Sequence, residues 1–282
     1  MKFDLHLHTT ASDGNLSPAA LLDRAQDCGI DVLAITDHDT VAGVLEAQRY
    51  ADSNPALPVL VTGVEFSCRW VNLPVHVVGL NMQIENTGFG RFIDNQQSLR
   101  AERNDAILSR LEKLGVGGIR SAVGAEQSAN LAQLGRPQIA DAMVALGKVS
   151  DRQRAFKQYL ANGKPASVAI SWPSLSQTVE AINAAGGDAV VAHPLHYRLT
   201  GSKLHSLLKA TLDCGGAGFE IIGSGQNPEQ RAQLARLARK LGARCSIGSD
   251  FHTDQAPWQA LGKLPDIPED CVPIWQDWSV AQ

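Results

Sequence analysis

Residues 1–38 read MKFDLHLHTTASDGNLSPAALLDRAQDCGIDVLAITDH and contain a complete strand–helix–strand unit. An apolar run ends at His8, and Ser17-Pro18 then carries the N-cap and first-turn proline signals of a helix. A second apolar run ends at His38. Two strands joined by one helix predict neighbouring parallel strands, and here both of them end in histidine.

The same alternation continues along the chain. Further strands are predicted at 58–65, 74–80, 188–192, 218–222 and 244–248, and further helices at 43–53, 174–186, 203–213 and 228–241. About seven strands in β/α alternation predict a parallel sheet. Because histidines end several non-adjacent strands, they can meet only if this sheet closes. The predicted fold class is therefore α/β, a distorted (β/α)7 TIM-like barrel.

One internal segment departs from this alternation. The stretches SLRAERNDAILSRLEKLG, GRPQIADAMVALG and SDRQRAFKQYLANG carry apolar residues at helical spacing, and each ends at glycine. We therefore predict that residues 1–98 and 166–282 form the barrel, and that residues 99–165 form an inserted all-helical subdomain capping the active site. The proline-punctuated tail, 263–282, is expected to wrap the surface.

Composition excludes several classes of protein. The chain of 282 residues is 44% hydrophobic and 19% charged, as is typical of globular proteins, and its net charge of -4 argues against a general polyanion-binding surface. Five widely spaced cysteines without a CxxC pair argue against a disulfide framework or a zinc ribbon. With no apolar signal core and no apolar run of transmembrane length, we expect a cytoplasmic protein without membrane contact.

Seven of the eight histidines lie at or near predicted strand ends, and carboxylates accompany them. His6 and His8 are two residues apart on a strand, so their imidazoles face the same side and can bind one ion. Taken singly, His76 between valines is more typical of a core histidine, but burying the whole set without a shared partner would cost roughly several kcal/mol per group. The candidate metal ligands are His6, His8, Asp13, His38, Glu65, His76, His193, Asp250 and His252.

The order of the motifs HLHTTASDG, ITDHDT, GVEFS, HVVGL, AHP and GSDFH resembles the polymerase and histidinol phosphatase (PHP) family of the amidohydrolase superfamily. The resemblance spans residues 1–80 and 188–252 and implies hydrolysis of phosphate esters with two or three divalent ions. Manganese is the expected ion, with iron, zinc or magnesium as alternatives. The family pattern assigns His6, His8, Glu65 and Asp250 to one ion, Glu65, His76 and His193 to a second, and Asp13, His38 and His252 to a third.

Softer motifs indicate a subgroup. SLRAERN, LGRPQIADAMV, AFKQYLANGKPA and AHPLHYRL resemble nucleoside 3′,5′-bisphosphate phosphatases and 5′→3′ exoribonucleases. We predict hydrolysis of the 3′-phosphate of a nucleoside 3′,5′-bisphosphate by a hydroxide that bridges the metals. The alternatives are trimming of short 5′-phosphorylated oligoribonucleotides, or hydrolysis of another small ester such as histidinol phosphate. A non-catalytic PHP module would have lost ligands, and none is missing. No stable protein partner is implied.

Three candidates carry catalytic roles. His196, three residues after His193, suits protonation of the leaving oxygen, and Asp13 or Asp250 could orient the hydroxide. A second phosphate also requires cations away from the metals, and arginine presents a planar fork of donors for it, although arginines on amphipathic helices more often face solvent. Arg136 has the added support of a helix N-terminus. The candidate substrate contacts are Arg103, Asn104, Arg136, Lys164 and His196.

Overall fold

The computed structural model describes residues 1–123, 130–254 and 261–279, and it divides the chain into two compact units. One unit comprises residues 1–93 and 173–282 and is called the barrel unit below. The other comprises residues 94–172 and is called the helical unit. The sequence-based division at 99 and 165 falls a few residues inside the two ends of the helical unit.

The barrel unit contains one seven-stranded sheet whose strands follow each other in chain order. The strands are β1 (Phe3–Leu7), β2 (Val32–Ile35), β3 (Val59–Trp70), β4 (Leu73–Leu80), β5 (Asp188–Val191), β6 (Gly218–Gly223) and β7 (Arg244–Gly248). Hydrogen bonds join its two outer strands: the Asp250 N–H donates to His6 C=O at 2.9 Å, and the His8 N–H donates to Phe251 C=O at 3.0 Å. The sheet is therefore a nearly closed barrel, which confirms the predicted fold class.

The sheet is not parallel throughout, so that part of the prediction was wrong. β3 runs to Trp70, beyond its predicted end, and pairs antiparallel with β4, which in turn pairs antiparallel with β5. Only Val71 and Asn72 separate β3 from β4, and a parallel connection needs a crossover of about a dozen residues. As a result His76, near the start of β4, lies opposite Ser67 near the end of β3.

The helices lie between the strands and within the helical unit. The described helices are α1 (Pro18–Asp27), α2 (Ala42–Ala51), α3 (Thr87–Lys113), α4 (Ile119–Ala122), α5 (Arg136–Ala145), α6 (Arg152–Ala155), α7 (Leu175–Ala184), α8 (Gly201–Asp213) and α9 (Pro228–Leu241). The Ser17 hydroxyl accepts from the Ala20 N–H at the start of α1, as the capping signal predicts. None of the described helices is long and apolar enough to cross a membrane.

The helical unit has an apolar core of its own. Leu108 and Leu111 of α3 pack with Ile139 and Met143 of α5 and with Leu160, all of them buried. Within 94–123 and 130–172 the structure contains helices and turns but no strand.

The C-terminal tail does not only lie on the surface, as predicted, but also pairs with β7. The Cys245 N–H donates to Val272 C=O, and the Ile274 N–H donates back to Cys245 C=O, so the tail pairs with β7. Ile274 is fully buried, and the indole of Trp278 donates to the Asp188 carboxylate at 2.7 Å. The tail therefore contributes to the core of the barrel unit.

Candidate metal centre

The predicted ligands converge at one end of the barrel unit. His6 and His8 project from β1 to the same side, and their Nε2 atoms lie 3.1 Å apart. Asp250, which follows β7, places one carboxylate oxygen 3.5 Å from His6 Nε2 and 3.3 Å from His8 Nε2. Barrel closure between β1 and the segment after β7 makes this approach possible.

Glu65 of β3 lies at the centre of the cluster and is almost completely buried. Its Oε1 atom is 2.8 Å from His76 Nδ1 and 2.8 Å from His193 Nε2, and its Oε2 atom faces the other histidines. In all, the two oxygens lie within 3.4 Å of ring nitrogens of His6, His8, His38, His76 and His193. A carboxylate in this position can bridge two ions.

A further group forms around Asp13, in the loop after β1. Its carboxylate oxygens lie 3.3 Å from His252 Nε2 and 3.7 Å from both His38 Nε2 and His8 Nδ1. The His8 Nδ1 atom is buried and has no hydrogen-bond partner among the described residues. Because an unpaired buried nitrogen is costly, its position suits a ligand of a bound ion.

The donor atoms sort into overlapping groups that could each hold an ion, with all atoms of a group within 4.8 Å of one another. These groups are His8 with Asp13, His38 and His252; His6 with His8 and Asp250; His6 with Glu65 and His193; His38 with Glu65 and His76; and His193 with His196 and Asp250. Imidazole nitrogens mixed with carboxylate oxygens fit manganese, iron or zinc. The residues present therefore fit a centre of divalent ions.

Electrostatics couple these groups strongly. Burial alone would raise the pKa of Glu65, but the imidazoles of His76 and His38 lower that pKa well below its usual range. Burial alone would lower the pKa of His8, but the carboxylates of Asp250 and Glu65 outweigh it and raise the pKa to about 10. Without metal, the His8 imidazole therefore keeps its proton, and an ion that binds there must displace it.

Carboxylates behind the ligands hold the ligand-bearing loops. Asp37 accepts from the Thr9 N–H at 2.8 Å and from the Ser12 hydroxyl at 2.6 Å, and so holds the loop that carries Asp13. Asp4 accepts from the Ser249 N–H, next to Asp250, and burial raises the pKa of Asp4 to about 7. Sequence reasoning missed Asp4, although an acid inside an apolar strand is a usable signal.

A pocket of about 280 Å³ adjoins the ligands. It is lined on one side by His193, His196 and Asp250, and on the other by the segment 223–226 after β6. The His196 ring stacks on His193 with ring centroids 4.9 Å apart. His193 and Asp250 adopt left-handed backbone conformations, with φ of +29° and +54°, which residues other than glycine adopt infrequently.

The predicted substrate-contact residues of the helical unit differ in exposure and in hydrogen bonding. Both amide hydrogens of Asn104 are used, because the buried amide donates to Leu131 C=O at 2.8 Å and to Leu134 C=O at 2.6 Å. Arg103 is partly exposed, and Lys164 is exposed.

Arg136, at the start of α5, lies over the Phe156 ring at 6.0 Å. Burial and the neighbouring Arg100 lower its pKa. Arg100 itself is 5% exposed and was missed; its spacing of four from Asn104 on α3 is the signal that could have found it. A buried and a partly buried guanidinium group on the same unit are candidate contacts for an anion.

Stability of the metal-free protein should fall as pH rises from about 6.5 to 9. His8 has a raised pKa, so its stabilising contribution is complete below the ordinary histidine pKa of about 6.5 and is lost as pH rises toward about 10. Thermal unfolding at stepped pH, with chelator or with added manganese, measures this. Manganese should remove most of the decline, whereas a metal-free melting temperature that is flat or rises would contradict the network.

His38→Ala should remove one ion and reduce phosphate-ester hydrolysis about a hundredfold or more, because His38 offers a nitrogen to two of the donor groups. Elemental analysis of purified protein and initial rates give the two quantities. His205→Ala, a histidine of α8 outside every donor group, is the matched control. Full metal content with normal turnover in His38→Ala would exclude His38 as a ligand.

Comparison with known proteins shows which family the chain resembles. Residues 4–107 match the PHP domain. The chain is 40% identical over 275 residues to a 5′-3′ exoribonuclease of Haemophilus influenzae, an alignment that covers 98% of each chain. It is 33% identical to a 3′,5′-nucleoside bisphosphate phosphatase of Chromobacterium violaceum, covering 97% of this chain and 95% of that one.

A solved structure supports the same assignment. An amidohydrolase from Chromobacterium violaceum, with bound sulfate and no metal, superimposes with a TM-score of 0.88 at 32% identity, covering 98% of this chain and 95% of that chain. Two full-length relatives above 30% identity and the ligand cluster at the barrel end lead to one conclusion. The chain belongs to the PHP domain family and is a metal-dependent phosphoesterase.

Proposed function

We propose that the protein hydrolyses the 3′-phosphate of nucleoside 3′,5′-bisphosphates, releasing a nucleoside 5′-monophosphate and inorganic phosphate. The observation that carries this proposal is that the chain holds both a cluster of metal ligands and, in its helical unit, the buried Arg100 and the partly buried Arg136. The ligand cluster supplies the chemistry for one phosphate. The arginines supply a cationic contact for a second phosphate that is not cleaved.

A second candidate is 5′→3′ exoribonuclease activity on short 5′-phosphorylated RNA, and the 40% identity to a protein of that name favours it. The two activities cut the same kind of bond. In both, the ester between the 3′ oxygen and phosphorus breaks and a nucleoside 5′-monophosphate is released. They differ in whether the phosphate that water attacks carries another nucleotide, so a site built for one can serve the other.

The proposed ligands are the nine residues predicted from the sequence, His6, His8, Asp13, His38, Glu65, His76, His193, Asp250 and His252. Divalent ions bound there would lower the pKa of water and neutralise charge on the phosphoryl oxygens. Asp13 and Asp250 orient the attacking water through their carboxylates. We infer that manganese is the preferred ion, from the mixture of imidazole and carboxylate donors.

His196 is the proposed proton donor to the departing 3′ oxygen. Partial burial and the neighbouring His193 lower the pKa of His196, which favours the neutral imidazole in the free protein. A phosphate dianion next to this ring would favour the imidazolium that the role requires. Its location beside the ligand cluster, stacked on His193, supports this assignment.

Arg136, with Arg103 and Lys164, is proposed to hold the 5′-phosphate. Arg136 begins α5, so backbone N–H groups at the helix start add to its charge. Asn104 also stays a proposed substrate contact through its Oδ1 atom, which is buried without a hydrogen-bond partner among the described residues, while its two amide hydrogens hold the segment that precedes α5.

The proposal also covers the cellular compartment and the partners of the enzyme. We propose a cytoplasmic enzyme that acts on small nucleotides or short oligoribonucleotides without a stable protein partner. All five cysteines are free, which supports a reducing compartment.

A substrate panel tests the proposed function. Manganese-loaded protein should release phosphate from 3′,5′-bisphosphates faster than from 2′-, 3′- or 5′-mononucleotides, and chelation should abolish the activity. Chromatography should identify the 5′-monophosphate as product. Release of a 3′-monophosphate would reverse the assignment of the two phosphates, and faster release of monophosphates from oligoribonucleotides would favour the exoribonuclease.

Arg136→Ala should lower kcat/KM for a 3′,5′-bisphosphate about ten- to a hundredfold, because a charge-assisted contact contributes roughly 1.5–3 kcal/mol. A generic aryl phosphate lacks the second phosphate, so its rate should change little. Arg120→Ala, which removes an arginine paired with Asp105 on the same unit, is the matched control. Equal losses on both substrates would show that Arg136 supports structure instead.

A further inference from the structure

Glu220 is a buried acid that belongs to none of the donor groups. It lies in β6, within the apolar strand sequence GFEIIG, and is only 3% exposed. A carboxylate in this position needs strong partners, because burying an unpaired charge is costly.

Its two oxygens have different partners on distant parts of the chain. Oε1 lies 2.5 Å from His6 Nδ1, and Oε2 accepts a hydrogen bond from the backbone N–H of His193. One carboxylate thus joins a side chain of β1 to the backbone at the end of β5. The bond to His193 falls at a residue whose φ of +29° is strained, and it helps to hold that conformation.

The contact between Glu220 and His6 depends on the lack of a side chain at Gly248. Gly248 of β7 pairs with Gly223 at the end of β6, and β7 lies beside β1 where the barrel closes. A Cβ atom added at Gly248 would lie 2.2 Å from His6 Cβ and 3.2 Å from Glu220 Oε1. Glycine at 248 therefore provides the space through which Glu220 reaches His6.

We propose that Glu220 is the positioning residue of the metal centre and that Gly248 permits this role. His6 directs Nε2 toward Glu65 and Asp250, so binding an ion requires a lone pair on Nε2 and a proton on Nδ1. A carboxylate at Nδ1 selects that tautomer and orients the ring. The inference rests on the metal dependence of the proposed function, but not on the identity of the substrate.

Replacement of Glu220 by glutamine is the substitution that tests the proposed role. Glu220 accepts two hydrogen bonds at once, whereas Gln has one acceptor oxygen and one NH₂ donor. If the oxygen of Gln faced His193, the NH₂ would face His6 Nδ1 and select the tautomer with the proton on Nε2. If the oxygen faced His6, the NH₂ would oppose the His193 N–H. Glu220→Gln therefore changes little in shape and removes the proposed interaction.

The experiment measures metal binding and needs no substrate. Chelator-stripped protein is dialysed against graded manganese or zinc, and bound metal is counted by elemental analysis. Glu220→Gln should weaken binding of at least one ion about ten- to a hundredfold. Asp188→Asn makes the same change at the start of β5, where the carboxylate accepts from the Trp278 indole, and it should bind metal as the wild type does. Wild-type affinity in Glu220→Gln would overturn the proposal.

A purely structural role gives a different pattern. It predicts a lower melting temperature of metal-free Glu220→Gln with unchanged metal affinity, and that result would also overturn the proposal. Gly248→Ala should also weaken metal binding, because the added methyl group would occupy the space between His6 and Glu220. Gly201→Ala is its control, because a Cβ at Gly201 meets nothing within 4 Å. Unchanged affinity in Gly248→Ala would count against the proposal.

The wild-type protein provides a test that does not depend on folding of any variant. In a long-range ¹H–¹⁵N spectrum of the zinc-loaded protein, the His6 ring should carry its proton on Nδ1, shifted downfield by the carboxylate. A His6 ring protonated on Nε2 would refute the assignment. Because neither experiment includes a nucleotide, failure of the proposed bisphosphate hydrolysis would leave these results unaffected.

Discussion

The buried carboxylate of Glu65, with ring nitrogens of five histidines around it, is the interaction on which the rest of the barrel end depends. Those histidines come from β1 and β4 and from the segments after β1, β2 and β5, so they reach one carboxylate only because the sheet curves into a nearly closed barrel. The close approach of so many ionisable groups lowers the pKa of Glu65 and raises that of His8. A divalent ion can replace the protons that hold this network together.

Behind the ligands lie acids that belong to none of the donor groups among the described residues and that hydrogen-bond to ligand-bearing segments. Asp37 holds the loop of Asp13, Asp4 holds the segment before Asp250, and Glu220 holds both His6 and His193. Each of these acids accepts a hydrogen bond from at least one N–H or O–H group of a ligand-bearing segment. The precision of a metal site depends on such contacts as much as on the ligands themselves. One of them, Glu220, also accepts from the backbone N–H of His193, a residue with a left-handed backbone conformation.

The proposed activities assign different roles to the two units of the chain. The barrel unit carries the ligands and His196, whereas the helical unit carries the arginines that could recognise a phosphate that is not cleaved. A phosphatase and an exoribonuclease that recognise a 5′-phosphate and break the neighbouring 3′ ester need the same two components. The preference between them then depends on whether the site has room for a nucleotide attached to the phosphate that is attacked.

The sequence by itself determined the β/α alternation, the strands, the barrel class and the ligand candidates, because periodicity and strand-end histidines are local signals. Only the tertiary structure decided that β4 runs antiparallel, since a turn of two residues leaves no room for a crossover, and this direction brings His76 to the ligand end. Tertiary structure also revealed Glu220, which meets His6 across 214 residues of chain, and the burial of Arg100. These contacts depend on closure of the sheet and packing of helices, and no local pattern of residues specifies which distant groups such folding brings together.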